Sequence, residues 1–284
     1  MKISRDSITT LFLFFLLTIA LYFLGYWLIF RMGKATPLML SVGLAAILTC
    51  LIRKRGLSTF GWGWGKPKQA WMSYLIPLAI VAIAYIVIWL FGFGHWYNTE
   101  FISQQKTNLN LAGWSDYSII LFQFLMTASM TFILSLPAVL GEEIAWRGFL
   151  VTELSKFLSF TGVAFTSGFF WAIWHWPLII NGLYGNSMTP LYYQIIIFTL
   201  FIMSTAMIMT YLRYKTKSVW SAVIYHMSSN VFIQKFFNPL TLENPKSVWF
   251  IDEFGIILAM VAMIVAIYFW KKGKQEFANI NLWA

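Results

Sequence analysis

The chain has 284 residues, of which 60% are hydrophobic and 11% are charged, whereas soluble domains carry about 25% charged residues. A soluble globule of this size could not bury so much apolar surface. The composition therefore excludes a soluble enzyme, a disordered chain and a disulfide-linked secreted domain, and the single cysteine, Cys50, cannot form an intrachain disulfide. The net charge of +10 does not indicate nucleic-acid binding, because the basic residues lie between apolar runs rather than on one basic module.

Eight apolar runs predict an all-α, polytopic membrane protein. In chain order they cover about 8–30, 37–52, 70–92, 119–141, 162–181, 191–212, 219–236 and 254–270. A spanning helix needs about 20 mostly apolar residues, so the short second run is the least secure. The first run is too long for the apolar core of a signal peptide, and we interpret it as an uncleaved helix. We predict one integral membrane domain over residues 1–284.

The basic residues predict the orientation of these helices. With the N-terminus in the cytoplasm and eight alternating helices, the inner segments hold 15 of the 20 Lys and Arg residues and the outer segments hold 5. Cytoplasmic segments of membrane proteins carry such an excess. We therefore predict a multi-pass protein of the plasma membrane with both termini in the cytoplasm.

Two glutamates follow the fourth run, in GEEIAWRGFL (141–150). Ionisable groups at membrane depth are costly, so each indicates a functional site. Glu143 and Arg147 are four residues apart and share a helix face, on which they can pair. Glu142 is turned by about 100° from Glu143, which leaves it free to face a cavity. Alternatively, both acids cap a helix end at the water interface.

Two histidines and an asparagine lie in later runs. His175 is in FFWAIWHWP (169–177), where Trp171 precedes it by four residues and can pack along its ring. His226 and Asn230, in VWSAVIYHMSSN (219–230), share a helix face and offer two hydrogen-bond donors. The alternatives are a packing pair between helices for His226 and Asn230, and a bond to a neighbouring carbonyl for His175. We assign no role to His95, which lies in an outer loop.

These residues are expected to converge. The fourth and fifth runs form an antiparallel pair that turns near residue 158, with Glu142 16 residues before this point and His175 17 residues after it. Both would lie at roughly 25 Å from the turn. The seventh helix enters from the same side, so His226 would lie somewhat shallower unless the helix is tilted.

A glutamate, two histidines and an asparagine in a protected cavity suit the hydrolysis of an amide. The carboxylate takes a proton from water, His175 holds that water, and His226 with Asn230 donates to the developing oxyanion. Other intramembrane proteases need parts that this sequence lacks: an HExxH zinc helix, a GxSG serine motif or a pair of membrane aspartates.

Three ordered motifs resemble those of the CPBP family, also called the Abi or CAAX-protease-like family. EEIAWR (142–147) matches EExxxR, WAIWHWP (171–177) matches the aromatic-xxx-His motif, and HMSSN (226–230) matches HxxxN. The resemblance covers a motif core at about 118–237. It implies an eight-helix intramembrane endopeptidase, a hydrolase similar to the Ras-converting CAAX prenyl endopeptidases. Its catalytic roles would fall on Glu142, His175, His226 and Asn230. The supporting positions are Glu143, Arg147 and Trp171, where many members have Phe in place of the Trp.

Several alternatives stay open. Glu142, His175 and His226 could hold a Zn²⁺ ion, because one carboxylate and two imidazoles form a legitimate catalytic set, although we prefer a site without metal or cofactor. A non-catalytic bacteriocin-immunity protein should lack one or more motif residues, and all are present here. A transporter should have two related halves, and we see no such symmetry. The expected partners are the bilayer and a peptide or a prenylated, lipid-associated protein substrate.

Overall fold

The computed structural model describes residues 3–278, which form a bundle of helices. The helical segments that matter here are α1 (Arg5–Met32), α2 (Thr36–Ile52), α3 (Pro67–Leu90), α4 (Thr99–Asn108), α5 (Asp116–Leu134), α6 (Leu136–Glu143), α7 (Val151–Leu154), α8 (Phe160–Ile180), α9 (Leu191–Thr216), α10 (Val219–Phe232) and α11 (Ile256–Glu276). Two short strands, β1 (His95–Trp96) and β2 (Thr241–Leu242), pair antiparallel, with His95 opposite Leu242. His95 therefore lies at the rim of the bundle.

Within residues 3–278, six helices are long and apolar enough to cross a membrane: α1, α3, α5, α8, α9 and α11. The two other predicted runs correspond to shorter helices, α2 with 17 residues and α10 with 14. Large apolar side chains lie on the outside, among them Phe23 at 70% and Leu90 at 78% exposure, where lipid would solvate them. The predicted all-α, multi-pass membrane architecture is confirmed.

The fourth predicted run, 119–141, is not one continuous helix. The chain leaves α5 at Leu134 and starts α6 at Leu136. Pro137 lies in the first turn of α6, where its missing N–H and fixed φ suit a helix start better than a helix interior. Apolar composition alone does not reveal such a break, so the sequence predicts a single span here.

Both glutamates lie inside a helical segment rather than at its end. After Glu143 the chain continues through a π-helical turn, Ile144–Leu150, into α7. Both side chains have no exposed surface. The alternative in which Glu142 and Glu143 cap a helix end at the water interface is therefore wrong.

Helix α9 is central to the bundle and packs against α8, α10 and α11, while α10 also packs against α3. Helices α2 and α6 cross where Gly43 faces Gly141. A Cβ atom on Gly141 would lie 2.9 Å from the Cα of Leu40, so the two backbones approach as closely as small residues allow. This crossing fixes the position of α6 against α2 at the residue that precedes Glu142.

Two of the basic residues counted as inner charges are buried inside the bundle. Arg147 and Arg213 have no exposed surface, and neither lies in a loop. Without these two, 13 of the 15 inner charges remain against 5 outer ones. The charge asymmetry thus keeps its direction.

Candidate active site

A cavity of about 280 Å³ lies between α6, α8, α9 and α10. Its lining includes all four residues predicted to be catalytic, namely Glu142, His175, His226 and Asn230, and also Trp171. The other lining residues are mostly apolar or aromatic. An apolar pocket with a few convergent polar groups is typical of a ligand or active site.

Glu142 is fully buried, and its two carboxylate oxygens differ in their surroundings. Oε2 accepts a hydrogen bond of 2.7 Å from the indole Nε1 of Trp171. Oε1 has no hydrogen-bond partner among the described residues. A buried polar atom without a partner is costly, so the structure keeps one acceptor unsatisfied at the cavity.

Glu143 has a different set of partners. Its Oε1 and Oε2 lie 2.9 and 3.1 Å from Nη1 of Arg147, the pair that the four-residue spacing predicts. Its Oε1 also lies 2.9 Å from Nδ1 of His226, a contact that the sequence analysis missed. Glu143 does not line the cavity, so its contact with the site runs through the imidazole ring of His226.

Trp171 joins the two glutamate environments. Besides its bond to Glu142, its ring lies under the guanidinium of Arg147, with the Cζ atom 4.1 Å from the ring centroid. The ring also meets that of His226 edge-on at a centroid distance of 5.2 Å. Trp171 therefore orients one glutamate by hydrogen bonding and contacts the partners of the other.

The tautomers of both histidines follow from their acceptors. Nδ1 of His175 lies 2.9 Å from the carbonyl oxygen of Trp171, and since a carbonyl can only accept, Nδ1 carries the proton. Nδ1 of His226 likewise donates to the Glu143 carboxylate. In each neutral ring, Nε2 is then the unprotonated nitrogen left for the cavity.

The π-helical turn Ile144–Leu150 carries Arg147 away from the cavity. A π turn breaks the regular backbone ladder and is frequent at functional sites. Here the carbonyl of Arg147 accepts a bond of 3.0 Å from Nε of Arg213, while Nη2 of Arg213 donates to the carbonyl of Phe60 at 3.1 Å. Arg213 thus links the π-helical turn after α6 to the connection between α2 and α3 by hydrogen bonds.

The cavity also contains polar residues that the sequence analysis missed. Gln234 and Glu253 line it, and Gln234 donates a bond of 2.6 Å from its Nε2 to Oε1 of Glu253. Gln234 continues the spacing of His226 and Asn230 by four residues, which could have indicated it. Glu253 lies in a connection just ahead of the last apolar run, where acids are ordinary, so the sequence carried no signal for it.

Within residues 3–278, no three His, Cys, Asp or Glu side chains lie close enough together to share a metal ion. Glu142, His175 and His226, the residues of the alternative zinc site, all line the cavity.

Comparison with known proteins agrees with the motifs. Residues 124–232 match the family described as type II CAAX prenyl endopeptidase Rce1-like. The resemblance to this family is confirmed. A CAAX prenyl protease 2 of Methanococcus maripaludis is 28% identical over 134 residues, which are 46% of this chain and 45% of the relative. The chain thus spans less than half the length of this curated relative. Residues 124–232, which match the family, include all three motifs.

Proposed function

We propose that the protein is an intramembrane endopeptidase that hydrolyses a peptide bond with a water molecule activated by Glu142. One observation carries the proposal: Oε1 of Glu142, a residue that lines the cavity, is buried and has no hydrogen-bond partner among the described residues. A carboxylate oxygen in this state is suited to accept a proton from water. The similarity to CAAX prenyl endopeptidases supports the same reaction class.

The first step places the nucleophile. Water donates one proton toward Oε1 of Glu142 and the other toward Nε2 of His175, two acceptors without a partner in the described structure. Its lone pair is then directed at the carbonyl carbon of the substrate. Glu142 takes the first proton as the new carbon–oxygen bond forms, and the carbonyl oxygen becomes an oxyanion.

The second group stabilises that oxyanion. The side-chain amide of Asn230 can donate from its nitrogen without any change of protonation. His226 already donates Nδ1–H to Glu143, so a second donation from Nε2 needs the doubly protonated ring. When the carbon–nitrogen bond breaks, protonated Glu142 returns its proton to the leaving amine.

The zinc alternative has a separate test. Purified protein treated with a tight chelator should keep its peptidase activity, because the proposed steps use only side chains and water. Elemental analysis that finds about one zinc per chain, with activity that follows the zinc content, would overturn this part of the proposal.

The cavity also suggests from which side the substrate enters. Its lining includes Ala35, Tyr184 and Glu253, which lie in connections on the side opposite the termini when the helices alternate. With both termini in the cytoplasm, as the charge asymmetry predicts, a peptide or a lipid-associated protein would enter from the outer face.

This topology is tested by cysteine labelling. A Lys66→Cys variant should be labelled only from the cytoplasmic side. Labelling from outside would invert this topology.

The function itself is tested in cells. Membrane peptides from cells with the wild-type protein and with Glu142→Gln, at matched protein levels, should differ in cleavage products detected by mass spectrometry. If the two strains give the same peptides and the variant still protects cells against a bacteriocin, the non-catalytic immunity function is the correct one.

A further inference from the structure

A second carboxylate reaches the cavity from outside the three motifs. Glu253 lies between β2 and α11, is only 5% exposed, and lines the same cavity as Glu142. The proposed mechanism gives it no role. A nearly buried acid at the wall of a site needs either a structural or a functional reason, because removing a carboxylate from water is costly.

The partners of Glu253 hold it in place without balancing its charge. Gln234 donates to its Oε1 at 2.6 Å, and Tyr184 lines the cavity with it. Both of these side chains are neutral. Gln234 follows Asn230 by four residues, so Glu253 extends the polar row of His226 and Asn230 along the cavity.

The cavity has two acidic residues and no lysine or arginine to match them. Its lining contains Glu142, Glu253 and two histidines, and none of the ion pairs within residues 3–278 involves Glu253. Burial raises the pKa of Glu253, which reflects the cost of holding its charge without a counter-ion. A cation from outside the chain would remove that cost.

We propose that Glu253 is a specificity-determining residue that binds an alkylammonium group, as carried by a lysine side chain, near the bond that Glu142 hydrolyses. The walls fit such a group, because Trp174, Tyr184 and Phe198 line the cavity and aromatic and apolar surfaces accommodate an alkyl stem and its cationic end. That the bound group belongs to a substrate of Glu142 rests on the proposed function, but the binding itself does not depend on turnover.

The test compares two small probes of nearly equal shape, 4-phenylbutylamine and 4-phenylbutanol. Their binding to the full-length protein in detergent is measured by calorimetry, with empty micelles as the blank. Wild type should bind the amine about tenfold more tightly than the alcohol, as a charge-assisted hydrogen bond provides. Glu253→Gln should lose this preference by weakening amine binding alone, since its amide oxygen can still accept from Gln234 and preserve the fold.

Glu142→Gln is the matched control, because it removes the other carboxylate of the cavity. It should keep the preference for the amine. If the preference instead disappears in Glu142→Gln and persists in Glu253→Gln, the proposal is wrong. Equal binding of both probes by wild type overturns it without any variant, even if Glu253→Gln fails to fold. A protein that prefers the amine through Glu253 but cleaves no peptide would contradict the proposed function and leave this site in place.

Discussion

The two sides of helix α6 carry adjacent glutamates with opposite surroundings. Both side chains are fully buried. Glu143 is bonded to Arg147 and His226, so both of its oxygens are occupied. Glu142 has one oxygen on Trp171 and one without a partner at the cavity. Equal burial therefore does not mean equal function: a satisfied charge holds structure, whereas an unsatisfied one is available for chemistry.

The largest effect should come from Glu142→Gln. The amide keeps the shape of the side chain but cannot take a proton from water, and a general base typically contributes about 10²–10⁴-fold to the rate. Peptide cleavage per folded molecule should fall by this factor, while the melting temperature in detergent barely changes. A folded Glu142→Gln protein with normal turnover would remove the distinction between the two glutamates.

Glu143→Gln should lose stability first. Arg147 would be left without a counter-ion inside the bundle, and breaking a buried pair costs about 3–5 kcal/mol of the free energy of unfolding. The expected result is a low membrane yield and a lower melting temperature. The double variant Glu143→Gln with Arg147→Met should recover part of the stability, because no unpaired charge remains.

The structure adds a second consequence for Glu143→Gln, since Glu143 also orients His226. The double variant should therefore regain stability without regaining full activity. Full recovery of both would show that Glu143 serves only as the partner of Arg147.

Asn230→Ala tests the proposed oxyanion donor in the cavity and leaves both glutamates unchanged. Removal of one oxyanion donor costs about 10²–10³-fold in turnover in other hydrolases, and Asn230 is only half-buried, so folding should be preserved. Ser229→Ala is the matched control, because Ser229 also lines the cavity and has no role in the proposed chemistry. Similar rates for both variants would reduce Asn230 to a packing residue.

Trp171→Phe should have the smallest effect of these changes. It removes the donor to Oε2 of Glu142 but keeps an aromatic ring beside Arg147. A loss of roughly tenfold in turnover is expected, equivalent to one charge-assisted hydrogen bond. Trp174→Phe is the control, because the Trp174 indole lines the same cavity and its Nε1 has no partner among the described residues. Equal effects on turnover would show that the bond to Glu142 is unimportant.

Sequence reasoning could predict contacts along one helix better than contacts between helices. The pair of Glu143 and Arg147 follows from a four-residue spacing, which fixes a shared face wherever the helix lies. The bonds of His226 to Glu143 and of Trp171 to Glu142 depend on the tilt and rotation of separate helices. Apolar composition does not encode these, because any lipid-facing surface satisfies it. Hence the predicted residues do line one cavity, but their hydrogen-bond partners could not be predicted.

The π-helical turn Ile144–Leu150 gives this part of the chain a tolerance in length that a regular helix lacks. A π turn holds one residue more than an α-helical turn in the same span. Deletion of a single residue between 148 and 150 would let the backbone relax to α-helical geometry and leave the flanking segments near their present rotation, whereas the same deletion in a regular α-helix rotates them by about 100°. Glu142 and Glu143 would keep their places in α6, and the change would fall on the turn that presents the carbonyl of Arg147 to Arg213.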